Sequence, residues 1–135
     1  MNALLIVQDP LIRDTIAIGL ECVPGATVEA ASDAAAIERA RRRKFDVVFV
    51  GHDPRDRENG NGLEIVAKLR EFEKTAEAIL VTDARIAKTL GAERERLNLA
   101  AFLRTPIDPN EFFRLAVRLR ARTSAAKAKV ERNAH

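Results

Sequence analysis

Ala3-Leu4-Leu5-Ile6-Val7 runs directly into Gln8-Asp9-Pro10. Five apolar residues in succession suit a strand covered on both faces, as in the interior of a parallel sheet. Asp followed by Pro then reads as a helix N-cap with proline at the first helical position. Ile12, Ile16, Leu20 and Val23 continue on one helical stripe, and Pro24-Gly25 stops it. The unit is a strand, a crossover helix and a turn. Four further β-rich runs repeat it: Thr27-Val-Glu-Ala-Ala31, Asp46-Val-Val-Phe-Val50, Ala78-Ile-Leu-Val81 and Ala101-Phe-Leu-Arg104. Their starts lie roughly 20 to 30 residues apart, enough for one helix and two loops between parallel neighbours.

The intervening stretches carry helical signals. Ser32 or Asp33 can cap a second helix whose inner face is Ala36, Ile37 and Ala40, and Arg41-Arg-Arg-Lys44 suits the negative end of its dipole. A third begins near Leu63 and uses Ile65, Val66, Leu69 and Phe72. A fourth spans about Ala84 to Leu97, with Ile86, Leu90 and Leu97 apolar and Gly91 among them. A fifth opens on Asp108-Pro-Asn-Glu111, which has capping-box spacing, and presents Phe112, Phe113, Ala116, Val117 and Leu119 inward. The expected fold is therefore α/β, a doubly wound (βα)5 parallel sheet in order 2-1-3-4-5. The domain is expected over residues 1–122, with 123–135 a basic tail or an extension of the last helix. Residues 53–62 read as an enlarged polar loop after the third strand.

Composition narrows the function classes. The 135 residues are 47% hydrophobic and 32% charged, which fits one globular domain rather than a disordered tail. No apolar run is long enough to span a bilayer, and a secretory leader is not evident, so a cytoplasmic location is expected. Cys22 is the only cysteine, and the two histidines, His52 and His135, are far apart, so neither an internal disulfide nor a zinc cluster can form. The net charge is +3, but it is uneven. From Arg114 onward seven basic residues and one acid give +6, which leaves −3 on the body before it. With no Trp or Tyr to stack on bases, nucleic acid is not the expected partner.

Leu5-Ile-Val-Gln-Asp9, Asp46-Val-Val-Phe-Val-Gly51, Gly62-Leu-Glu-Ile65, Leu80-Val-Thr82 and Phe102-Leu-Arg-Thr-Pro106, in that order, resemble the receiver domain of bacterial two-component response regulators, the CheY-like family. The resemblance covers about Asn2 to Arg122. In that family an acidic pair after the first strand helps hold Mg²⁺. An aspartate ending the third strand accepts a phosphoryl group. A Ser or Thr ends the fourth, and a Lys followed by a cis proline ends the fifth. The resemblance places the acidic pair on Gln8 and Asp9, the acceptor on Gly51, the hydroxyl on Thr82, the lysine on Thr105, the proline on Pro106 and the switch aromatic on Phe102.

Two departures matter chemically. Glycine cannot attack phosphorus, and threonine cannot supply the charge of lysine. One carboxylate, Asp9, is a poor Mg²⁺ site, so no cofactor is expected beyond weak Mg²⁺. The resemblance implies a pseudo-receiver that acts without phosphorylation by binding a protein partner in a signalling pathway. By the same resemblance its contact face is the fourth helix, fifth strand and fifth helix, carrying Arg85, Lys88, Arg94, Arg96, Arg114 and Arg118. That face also serves for a homodimer.

Three other readings stay open. Asp53, two residues beyond Gly51, is a displaced acceptor with Asp9 as metal ligand, or a solvated loop aspartate. Asp9 itself is a metal ligand or a helix cap. The strand C-termini could hold a small ligand, although Gln8-Asp-Pro-Leu-Ile-Arg13 is not a glycine-rich phosphate loop. His52, on the same loop, is expected to be exposed, and Arg104 to point away from the site.

Overall fold

The computed structural model describes residues 1–55 and 61–133. Five strands form one parallel sheet in order β2-β1-β3-β4-β5: β1 (Asn2–Ile6), β2 (Thr27–Ala30), β3 (Val47–Gly51), β4 (Glu77–Asp83) and β5 (Leu99–Thr105). Helices α1 (Pro10–Glu21), α2 (Asp33–Arg42), α3 (Gly62–Arg70), α4 (Ala84–Ala87), α5 (Gly91–Arg96) and α6 (Pro109–Asn133) join and follow them. Among the described residues no helix is long and apolar enough to cross a membrane.

Side chains alternate across the sheet and build two cores. Leu5, Phe49, Ile79, Val81 and Leu103 face α1 and α6, where Ile16, Leu20, Phe112, Leu115, Ala116 and Leu119 cover them. Leu4, Ile6, Val48, Val50 and Leu80 face the other way, onto Ala36, Val66, Leu69, Leu90 and Leu97. Burial on both faces is why the central runs carry almost no polar residues.

The N-caps follow from residue chemistry. Asp9 Oδ1 accepts from Leu11 N at 2.9 Å and Ile12 N at 3.2 Å, with Pro10 opening α1. Ser32, not Asp33, caps α2 through Ala35 N. Asn61 caps α3, one residue earlier than expected, and Phe72 lies beyond that helix under the Arg41 guanidinium, 5.0 Å from its ring centre. Gly19 lets α1 approach α6 closely: a Cβ there would stand 2.3 Å from the Phe112 ring.

Three expectations are corrected. The fourth helix is two short helices, because the chain tightens after Ala87. Thr89 N and Leu90 N bond to carbonyls three residues back, the Thr89 hydroxyl returns to Ile86 O, and Leu90 turns into the core. The box before the last helix is only half formed. Asp108 Oδ1 accepts from Asn110 N at 2.8 Å, while Glu111 pairs with Arg104 at 3.8 Å instead of reaching back. Phe113 and Val117 point outward, and Leu115 takes the inner position. The last helix also continues unbroken past residue 122, with Thr123 buried and Arg122 paired to Glu77 at 3.4 Å.

Arg70 is an anchor the sequence did not reveal. Its guanidinium donates to Leu97 O at 2.9 Å, Asn98 O at 2.9 Å and Glu73 O at 3.2 Å. It thereby ties the end of α3 to the turn before β5, where Asn98 sits at φ 52°.

Candidate functional site

The C-terminal ends of β1, β3, β4 and β5 open into a cavity of about 410 Å³. In open α/β sheets the crevice outside these strand ends is where ligands and reactive groups collect. Gln8, Asp9, Gly51, Asp53, Thr82 and Thr105 all line it, so one place holds nearly the whole set singled out from the sequence. Pro106 follows Thr105 through a cis peptide bond.

Four of these polar side chains already have partners. Gln8 Nε2 donates to Asp33 Oδ1 at 2.7 Å and is drawn toward α2. Asp9 caps α1. The Thr82 hydroxyl donates to His52 O at 2.7 Å and is buried. Asp53 Oδ1 accepts from both Arg55 N, 3.0 Å, and Arg55 Nε, 2.9 Å. Those bonds and the guanidinium charge hold the Asp53 carboxyl below the usual carboxylate range. One of its two oxygens, Oδ1, is therefore shared with the Arg55 guanidinium.

Gly51 ends β3 at the floor of the cavity. A Cβ built on it meets nothing closer than Val7 Cα at 3.5 Å, so a side chain would fit there. Gly62 is the opposite case. A Cβ there would lie 2.5 Å from Gly51 O and 3.0 Å from His52 Cβ. The first turn of α3 therefore rests directly on the end of β3, and only glycine permits that contact.

His52 corrects the sequence reading. It is buried, its N–H donates to Val81 O at 2.8 Å, and its Nδ1 accepts from Gly62 N at 3.1 Å. Imidazole and backbone together knit β3, β4 and the start of α3. Two lining residues were not singled out from the sequence, Arg55 and Asp83. Asp83 caps α4 through Arg85 N at 2.7 Å. Both had a legible signal, since Asp-Pro favours a turn that brings residue 55 back, and Asp before a helical run is a cap. Residues 56–60 of the expected loop lie outside the described residues.

Among the described residues no three Asp, Glu, His or Cys side chains converge closely enough to hold a metal ion. Of the nearby carboxylates, Asp9 and Asp83 cap helices and Asp53 is bound to Arg55.

The expected contact face divides. Arg94, Arg114 and Arg118 line a groove of about 690 Å³ between β5 and α6, together with Phe102, Arg104 and Glu111. Arg94 lies over the Phe102 ring, 5.8 Å from its centre, and also donates to Ala100 O at 3.2 Å. Arg85, Lys88 and Arg96 are exposed but stand outside that groove. Arg104 points away from the strand-end cavity, as strand parity requires, and thereby enters the groove. The cations at the end of α2 are less available than their sequence suggests. Arg39 and Arg43 both pair with Glu29, Arg42 with Glu38, and Arg41 covers Phe72.

No known family model matches the sequence, and no curated protein does. Solved structures do match. The receiver domain of AraT, a response regulator from Geobacillus stearothermophilus, superposes with a TM-score of 0.75 at 22% identity, over 93% of this chain and 97% of that one. The chemotaxis response regulator CheY4 of Vibrio cholerae gives 0.73 at 20% identity, over 87% and 97%. NtrX from Brucella abortus gives 0.77 at 19% identity, covering 96% of this chain and 28% of the other. The fold is the CheY-like, flavodoxin-like α/β fold seen in response-regulator receiver domains.

Proposed function

We propose that this chain is a pseudo-receiver: a receiver-like signalling domain of a bacterial two-component or phosphorelay system that works by protein–protein contact without phosphorylation. One observation carries the reading. Gly51 ends β3 on the floor of the strand-end cavity, where the resemblance puts a phosphoacceptor, and it has no side chain to modify. The surroundings agree with that. Thr82 spends its hydroxyl on His52 O, Thr105 stands where a cation would be needed, and Asp53 is held by Arg55. Phosphoryl transfer to a carboxylate needs charge neutralisation at the acceptor, and this cavity provides little for it. Mg²⁺ affinity is low in this account, and the domain is not an enzyme.

The partner surface in this proposal is the β5–α6 groove, which Arg94, Arg104, Arg114 and Arg118 line together with Phe102. A cationic rim around an aromatic suits a protein partner with acidic groups. The test is a titration against partners recovered with the chain, before and after treatment with acetyl phosphate and Mg²⁺. The affinity should be the same in both states and fall when Arg114→Glu and Arg118→Glu are combined. An affinity that rises on phosphodonor treatment would refute the proposal.

The same titration decides the displaced-acceptor reading. If Asp53 is phosphorylated with Asp9 as metal ligand, the response to the phosphodonor disappears in Asp53→Asn.

A further inference from the structure

Five large hydrophobic side chains are exposed among the described residues, and four of them lie on the two helices that cover one face of the sheet. Leu11 (77% exposed) and Ile18 (64%) stand on α1, and Phe113 (68%) and Val117 (52%) stand on α6. The fifth, Phe72, is covered by Arg41. A groove of about 490 Å³ runs between the two helices, lined by Ile18, Cys22, Ile107, Phe113 and Val117. Its floor is the close contact of Gly19 with Phe112. The two helices therefore form a fixed apolar platform, and exposed apolar patches of this kind mark interaction sites.

Charge at the rims indicates the occupant. The α1 rim carries Asp14 and Glu21, both exposed; Asp14 is 3.6 Å from its neighbour Arg13. The α6 rim carries Arg120, exposed and lining the groove. One edge is acidic, the other basic, and the centre is apolar. A uniformly acidic or basic partner would match one edge only. A second copy related by a two-fold axis matches both, because it sets the acidic α1 edge of each chain against the basic α6 edge of the other.

We infer that this chain forms a symmetric homodimer through the α1–α6 face, with Ile18 and Leu11 packed against Phe113 and Val117 of the second copy. This face shares Phe113 and Val117 with the β5–α6 groove but adds α1, and the inference does not depend on how the strand-end cavity functions. Ile18 lines the α1–α6 groove and not the β5–α6 one, so it is the diagnostic position.

Sedimentation velocity of the full chain over a range of concentrations tests it. The wild type should show a reversible monomer–dimer equilibrium. Ile18→Asp should weaken it about tenfold or more, since the side chain is buried twice in a two-fold interface. Its circular dichroism should be unchanged, because the side chain is exposed in the monomer. Glu21→Arg should weaken dimerisation and the added Arg120→Glu should restore it. A wild type that stays monomeric at all concentrations overturns the inference, as does a dimer that Ile18→Asp leaves intact.

Discussion

Gly62→Ala is the sharpest test of how the strand-end cavity is built. The new Cβ would stand 2.5 Å from the carbonyl oxygen of Gly51, against an ordinary contact distance of at least 3.4 Å. The obstructing atom is backbone in a buried strand, so the first turn of α3 must retreat by about 0.9 Å. That movement would stretch the 3.1 Å bond from Gly62 N to His52 Nδ1 beyond useful length. Overpacking of this kind costs about 1–3 kcal/mol, and a buried donor losing its partner costs about 1–3 kcal/mol more. Partial relaxation brings the expected loss to about 2–4 kcal/mol, a fall in Tm of about 7–14 °C for a chain of this size. Gly51→Ala is the control, since its nearest neighbour is 3.5 Å away, and it should change stability by less than about 1 kcal/mol. Urea and thermal denaturation followed by circular dichroism measure both. Equal stability of Gly62→Ala and wild type would show that α3 does not rest on the end of β3 as described.

Three more predictions follow from the same geometry. Arg70→Met should destabilise by about 2–4 kcal/mol in urea, because three carbonyls at the α3 end and the β5 turn lose their charged donor. Asp9→Ala should cost about 1 kcal/mol by the same assay, the value of a helix cap, and should do so equally with and without Mg²⁺. Glu73 supplies a pH dependence. Burial acts to raise its pKa, but bonds from Thr75 N, the Thr75 hydroxyl and Ala76 N outweigh it, and the carboxyl titrates below its ordinary range. A group with a depressed folded pKa stabilises above its unfolded pKa, and that contribution is lost as pH falls through the folded value. Urea midpoints of Glu73→Gln and wild type should therefore differ at neutral pH and converge in acid.

Much of the architecture could be read from local pattern. The apolar runs of β1 and β3 are unbroken because helices cover both faces, and Asp9-Pro10 and Asp108-Pro109 announce helix starts through their own chemistry. Phe112, Leu115, Ala116 and Leu119 form the buried i, i+3, i+4, i+7 stripe, and Phe113 and Val117 lie beside it, which helical periodicity alone requires. The other errors have tertiary causes. His52 looks like a loop residue until Gly62 brings α3 down onto it. The break at Lys88–Leu90 depends on where Leu90 finds room in the core. In the site, the positions of Gly51, Thr82 and Thr105 were legible because strand ends are fixed by the fold. The partners that occupy their neighbours, Arg55 on Asp53 and His52 O on Thr82, come from loop geometry that periodicity does not encode.

The proposal as a whole turns on whether a carboxylate of this chain can carry a phosphoryl group. Intact-mass analysis after incubation with acetyl phosphate or a phosphorylated histidine kinase, with Mg²⁺, measures that directly. The account predicts an unchanged mass for the wild type. A phosphoryl adduct on the wild type that is absent from Asp53→Asn would contradict it and make Asp53 the acceptor.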